Sequence, residues 1–443
     1  MKICTSRASK RERCRGAILG LVLVIVGAVA FIGWSVVNLG GHDAIETSTN
    51  LSQVQAFWNA EAGLEEIKSI AQKVRLPFAD IGGGGGLYDA AALGGTTSRG
   101  TYSVDIIDDP AWPSGGSRIK RYIVTSTGTS NGGDSKSVSV RAEIQTFASY
   151  MHSSNSEEQS GGGNIFFGTG DLLDGDVYVN DEINIYGTPQ ILGLTHSSAG
   201  SVNYQAAGSS ATFVGGLVLN ATPLDFLGSS VDHIDSIKAE AQSGGIALTT
   251  SGNYEIEFFG DGTVTYRQDL GGGSFGPTTT NDLASINGAI YVNGDAIVKG
   301  IVDGQVTLGV EDAIQIHESG IVYETAQSPN PWDAGFDPST VDDALGLVAR
   351  NMVQVLGSSD VNIHAAILVT QGDDGFTTAN KYTHIGTPYL NLYGSLGQWR
   401  RGVVGTISGK GFLKNYKYDL NFTDSPPPWF PYSAYVITAW TRL

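Results

Sequence analysis

The sequence has almost no cysteine: two in 443 residues, Cys4 and Cys14, both ahead of the first long apolar run. Beyond residue 14 the chain is thiol-free, which excludes disulfides, zinc–thiolate centres and cysteine nucleophiles there. Charge is sparse as well. Asp, Glu, Lys and Arg make up 16% of the chain, below the roughly 25% of an average soluble protein, which argues against charge-driven disorder and against a coiled-coil rod. Positive charge is scarcer still, with 26 Lys plus Arg against 44 Asp plus Glu and a net charge of −18. No Lys/Arg stripe with interleaved aromatics offsets it, so nucleic acid is not an expected partner. The abundant residue is glycine, with 60 copies, close to twice the usual share of roughly 7%.

The few positive charges are concentrated. Lys2, Arg7, Lys10, Arg11, Arg13 and Arg15 stand near the amino terminus beside the single acid Glu12. Directly after them, residues 17–39 read AILGLVLVIVGAVAFIGWSVVNL, longer than the roughly 20 residues that a helix needs to cross a bilayer. The basic cluster is expected to stay cytoplasmic, placing the long acidic remainder outside. The apolar run is too long for an ordinary secretory signal and lacks a small-residue cleavage site after it. A helix is expected to continue, because Phe57, Ala60, Leu64, Ile67, Ala71 and Val74 recur at helical spacing with Glu61, Glu65, Glu66, Lys68, Gln72 and Lys73 facing away. Pro77 and the glycines of 82–86 stop it. Helical from 17 to 75, it would be about 88 Å long, half membrane span and half packing spine. Gly20, Gly27, Gly33 and Gly40 lie near one face, where small residues admit close helix neighbours, although glycine is also simply common in membrane helices.

The leader RERCRG before the apolar helix, followed by QAFWNAEAGLEE at 55–66, resembles the amino terminus of type IV pilin-like proteins. It is most similar to the PilX-type minor pilins over roughly 11–75. The resemblance implies cleavage by a prepilin peptidase between Gly16 and Ala17 and methylation of the new terminus at Ala17. It also implies insertion in the bacterial inner membrane before assembly, and association with other pilin-like subunits through a helix packed by Gly20, Gly27, Gly33, Phe57, Leu64 and Ile67. The sequence departs from major pilins at the fifth mature position, where Leu21 replaces their glutamate. That removes a buried charge able to set registry and fits a minor, priming or tip subunit better than a bulk one. An uncleaved signal anchor is the alternative.

Residues 100–147 read as a three-stranded antiparallel meander: Tyr102, Val104 and Ile106 alternate with polar residues, as do Val138, Val140, Ala142 and Ile144, with Asn131-Gly132 as a hairpin signal. The Ser/Gly-rich stretch 151–163 reads as a flexible linker. Beyond it, short Ile/Val-rich strands are cut by Gly or Asn/Asp-Gly corners, most clearly over 286–323. Such strands suit a parallel β-helix, although the same corners permit an antiparallel sandwich. The stretches GDLLDGDVYVNDEINIYGTPQILG, NLYGSLGQWRRGVVGT and YKYDLNFTDSPPPWFP resemble uncharacterised β-helical surface domains found behind PilX-type termini. The expected fold class is therefore mainly β. A basic leader spans 1–16, a transmembrane and amphipathic helix 17–76, a small pilin-like sheet 77–150, the linker 151–163, and a β-helical domain 164–443, closed by a cap of Pro426, Pro427, Pro428, Trp429 and Phe430.

Chemical motifs are few. No pair among His42, His152, His196, His233, His317, His364 and His384 has metalloprotease spacing. The G-x-S-x-G match at 128–132 falls in the hairpin, and G-x-G-x-x-G at 271–276 lacks a strand before and a helix after it. Asp171, Asp174 and Asp176 are candidate calcium ligands, although Asp-Gly corners also form plain turns and Tyr178 breaks the EF-hand pattern. With Asp373, Asp374, Arg400 and Arg401 they are also candidates for carboxylate or basic catalysis on a β-helix. The sequence reads as a non-enzymatic fibre subunit that displays a β-helical head, the alternative being an anchored surface protein that binds or cleaves a polysaccharide.

Overall fold

The computed structural model describes residues 9–74, 93–111, 118–226, 232–383 and 388–442; the helix stop at Pro77 and 82–86, and His384, lie outside them. The chain is mainly β, with one long apolar amino-terminal helix. That helix, α1, spans Ser9–Val74, about 99 Å at 1.5 Å per residue. It begins inside the basic leader rather than at Ala17, because Lys10, Arg11, Glu12 and Arg13 are good helix formers and nothing there breaks the turn. From residue 19 its apolar side chains are open to the surroundings: Leu19, Val24, Phe31, Trp34 and Val37 are all exposed.

The second half of α1 lies on a five-stranded antiparallel sheet. The first four strands follow the chain: β1 (Gly94–Thr97), β2 (Gly100–Asp108), β3 (Lys120–Ser130) and β4 (Ser135–Thr146). Alternation puts Val104, Ile106, Tyr122, Val124, Val138, Val140 and Ala142 against Ala60, Leu64, Ile67 and Ala71 of α1, forming one buried cluster. The fifth strand is Tyr432–Arg442, at the far end of the chain, which pairs antiparallel with β4. The expected three-stranded meander thus gains an edge strand at each side. Everything between residues 147 and 431 is an insertion in this sheet.

Among the described residues of the inserted body, strand pairing is parallel apart from an antiparallel group over 253–282 and two isolated bridges. One ladder runs in spatial order through Ile246–Leu248, Ala289–Val292, Gln305–Val310, Ala344–Ala349, Val361–Val369, Tyr389–Arg400, β5 (His152–Ser156), Val177–Val179, Thr195–Ser197 and Leu217–Val218. A second ladder joins Asn253–Phe258, Ala296–Val302, Ala313–Tyr323, Met352–Val355 and Gly375–Thr378. A third continues from Ala313–Tyr323 through Val361–Val369, Tyr389–Arg400, Leu413–Tyr418, Leu172–Asp174 and Gln190–Ile191 to Thr212–Phe213. In Tyr389–Arg400, which serves two ladders, a glycine stands between the two parts. Gly394 has φ +148°, and a side chain there would strike the backbone of Ala365 in the next layer.

The order of the first ladder shows how the insertion closes. β5 enters the middle of the stack, between Tyr389–Arg400 and Val177–Val179. Residues up to 218 stack away in one direction, and residues from 246 wind back from the opposite end until Leu396 pairs with His152. Entry and exit are therefore neighbours: the Phe147 amide donates to the Pro431 carbonyl at 3.1 Å. Adjacent ends are what inserting one domain into another requires.

Two expectations are corrected here. The stretch 151–163 is no flexible linker in its first part: β5 is strand, and Met151, His152, Ser153, Ser154 and Glu157 are buried. Glu157 finds its partner, Arg401, in a distant part of the chain, which composition does not reveal. The Pro/Trp segment does not cap an end of the stack either. Phe430 is buried on its flank with Phe147, Phe422 and Val348, and Trp429 Nε1 donates to the Asn287 carbonyl at 2.8 Å. The segment carries the chain along the flank to the Tyr432–Arg442 strand. Helix α2 (His233–Gly244) covers the same flank with Ile234, Ile237 and Ala241. This is why the strands beneath read as continuous apolar runs such as ALGLVA rather than as alternation.

Candidate functional site

Two places combine exposure or charge with a defined geometry: the long helix with its joint to the sheet, and a buried ionic cluster where the two halves of the body meet.

Gly16 and Ala17 lie within the helical backbone of α1. Around Gly20, Gly27 and Gly33 there is open space, so that face is free for a neighbouring helix. Lower down, α1 is fixed by polar contacts as well as apolar ones. Asn59 is 2% exposed; its Nδ2 donates to the Thr129 carbonyl at 2.9 Å, and its Oδ1 accepts from Thr97 Oγ1 at 2.7 Å. The hydroxyls of Ser52 and Ser130 meet at 2.6 Å. The close approach rests on glycine. A Cβ at Gly128 would collide with the backbone of α1 at Ala56 and Ala60, and one at Gly63 with Ser126 of β3. The G-x-S-x-G match at 128–132 is therefore packing chemistry. Leu64 and Ile67 are buried as the spacing predicts, while Phe57 is half-buried and stands edge-on to Trp440, ring centres 6.4 Å apart. Sequence reasoning missed Ser52, Ala56, Asn59 and Trp440. The small-residue spacing of Ser52, Ala56, Asn59 and Gly63 was the available signal.

In the body, Arg401 is 1% exposed and pairs with the fully buried Glu157. Its guanidinium also donates to the carbonyls of Ile165 and Phe166 and lies 3.6 Å from the centre of the Phe167 ring. Lys414 Nζ donates to Asp171 Oδ2 at 2.6 Å. Burial pushes the Glu157 carboxyl up, but the Arg401 charge and the hydrogen bond from Ser154 override it and hold the group at about 2. Burial lowers Lys414 despite its Asp171 partner. His152 sits beside them with both ring nitrogens unbonded and Glu157 Oε1 3.8 Å away, too far for a hydrogen bond; burial lowers it, so it is neutral. The charges of Arg401, Glu157, Lys414 and Asp171 are matched in pairs, so the cluster acts as a joint between the two halves of the body.

Of the candidate metal ligands, Asp171 is thus committed to Lys414, and Asp176 accepts from the Leu194 amide at 2.8 Å. Among the described residues no group of three His, Cys, Asp or Glu converges as a cation site, so Asp171, Asp174 and Asp176 are not brought together. Arg400 pairs with Asp373 at 3.2 Å on the surface. His196 stacks on Tyr178 with ring centres 4.9 Å apart, and His364 accepts from the Tyr323 amide at 3.1 Å. Both are packing groups.

No family model, curated protein or solved structure matches the chain.

Next to the ionic cluster a cavity of about 490 Å³ opens to solvent between Phe166, Tyr186, Tyr382, Gln159, Asn164 and Lys414. Aromatic faces beside side-chain amides suit a small polar ligand with apolar faces.

Proposed function

We propose that the chain is a non-enzymatic, pilin-like structural subunit, anchored in the inner membrane by α1 and assembled with other pilin-like subunits into a type IV pilus-like or secretion fibre. In this reading a prepilin peptidase removes residues 1–16, and the body is a parallel β-helix displayed at the cell surface. The observation that carries it is the composition of α1. One continuous helix has an exposed apolar half preceded by the RG leader and a second half packed on a small antiparallel sheet. The β-helical part rests on the three parallel ladders and their glycine corners. Shearing surface fibres from cells that make them tests the reading: the chain is expected in the sheared fraction, and its complete retention in the membrane would count against assembly.

A second reading has one observation in its favour, the aromatic and amide-lined cavity beside Lys414. There the anchored body binds a surface glycan. Glycan-array binding by the full chain that is lost in Tyr186→Ala supports it; unchanged binding in that variant removes the cavity from consideration.

A further inference from the structure

The two ends of the stacked body differ. At the end that begins with residue 246, Ile246–Leu248 has a strand partner on one side only among the described residues, but the strand Asn253–Phe258 is covered by the antiparallel strand Thr263–Gly271, which Thr279–Asp282 covers in turn. That end is also charged: Arg267 and Lys299 pair with Glu255 at 3.0 and 3.1 Å. Such a covered, charged edge is how β proteins prevent unwanted pairing.

The opposite end has none of these devices. Its last layer consists of Val202–Tyr204, Thr212–Phe213 and Leu217–Val218, each with a strand partner on one side only among the described residues. The inner side chains Val202, Phe213 and Leu217 cover the core incompletely and remain partly exposed, and Tyr204, Val214 and Val218 are 47%, 64% and 41% exposed. Residues 183–224 contain no Asp, Glu, Lys or Arg, and no proline falls in these three strands. In a chain of net charge −18, whose surfaces otherwise repel one another, this is the face that two copies can bring together without charge repulsion.

We propose that this uncapped end is a self-association surface, on which a second copy of the chain docks end to end through the same layer. The antiparallel strands and charged pairs of the opposite end differ from this layer, so the pairing proposed is of like end with like end. The contact is therefore two-fold and closes as a dimer, with edge strands of one copy pairing to those of the other and the partly exposed apolar side chains buried between them. The inference is independent of cleavage at Gly16 and of fibre assembly.

The thiol-free body makes the test direct. In the full-length chain carrying Cys4→Ser and Cys14→Ser, solubilised in detergent, single cysteines are introduced as Tyr204→Cys, Val214→Cys or Val218→Cys, with Thr280→Cys at the covered end as reference. Mild oxidation is expected to give a disulfide-linked dimer with at least one of the three. The yield should be roughly tenfold above the reference, because a docked pair holds its thiols at a high effective concentration. A lysine at a second exposed position of the layer, such as Val218→Lys in the Val214→Cys chain, should abolish it. Association through α1 alone would give equal yields at both ends, and that result overturns the proposal. So does a layer that stays monomeric in the pure chain and is left for an extended strand of another protein.

Discussion

Replacing Arg401 with methionine isolates what joins the two halves of the body. Arg401 and Glu157 are separated by 244 residues in sequence and are both buried, so neither charge has water as an alternative partner. Removing the guanidinium leaves a buried carboxylate supported by Ser154 alone, a loss of about 3–5 kcal/mol. The depressed value of Glu157, about 2 against an ordinary 4.5, agrees in direction, with the Arg401 charge the largest of the causes that lower it. The sign follows from the depressed value. The stabilisation is complete above pH 4.5 and is lost as pH falls through the folded value toward 2. Loss of the cation lying over Phe167 adds about 1–2 kcal/mol. Urea denaturation of the detergent-solubilised chain, followed by far-ultraviolet circular dichroism, reads the difference as a lower midpoint for Arg401→Met at pH 7. The difference should shrink below pH 4.5, where the native pair itself weakens. The double variant Glu157→Leu with Arg401→Met should recover most of the loss, because an apolar pair leaves no orphaned charge. A single variant within about 1 kcal/mol of the native chain, or a double variant as damaged as the sum of the singles, would refute the reasoning.

Other consequences can be checked alongside. Gly128→Val should lift α1 from β3 at a cost of about 3 kcal/mol or more, because the clash is with helix backbone; faster amide exchange in β3 is the readout. Asn59→Leu should cost about 2 kcal/mol by removing its bonds with the Thr97 hydroxyl and the Thr129 carbonyl, measured by denaturant midpoint. Deleting residues 432–443 should expose the β4 edge and speed its exchange while exchange in the body is unchanged, since the body closes on itself through the pairing of Leu396 with His152. Burial holds His364 near 3, so the stability gained by keeping it neutral is full above pH 6.5 and falls as pH drops toward 3. His364→Gln should flatten the loss between pH 6.5 and 4 by about 3 kcal/mol.

What the sequence disclosed was local. The spacing of Ala60, Leu64, Ile67 and Ala71 and the alternation in β2 and β4 depend on neighbours in the chain, and those faces are the buried ones. The insertion was illegible because it rests on a pairing between residues 138–146 and 432–442, and no periodicity within either segment specifies its partner. The stretch 151–163 misled for a related reason. Its serines and Glu157 look like solvated linker residues until Arg401, far along the chain, supplies the buried counter-charge. Asp171 stood out as an acidic corner, but its Lys414 partner lies 243 residues away, so a cation ligand and a salt-bridged acid look alike in sequence.

Processing of α1 as a pilin-like helix is read by mass spectrometry of the amino terminus of the chain from cells with an active prepilin peptidase. The expected result is a mature protein that starts at Ala17 with a methylated amine. A chain that retains Met1 and residues 1–16 in those cells would contradict it.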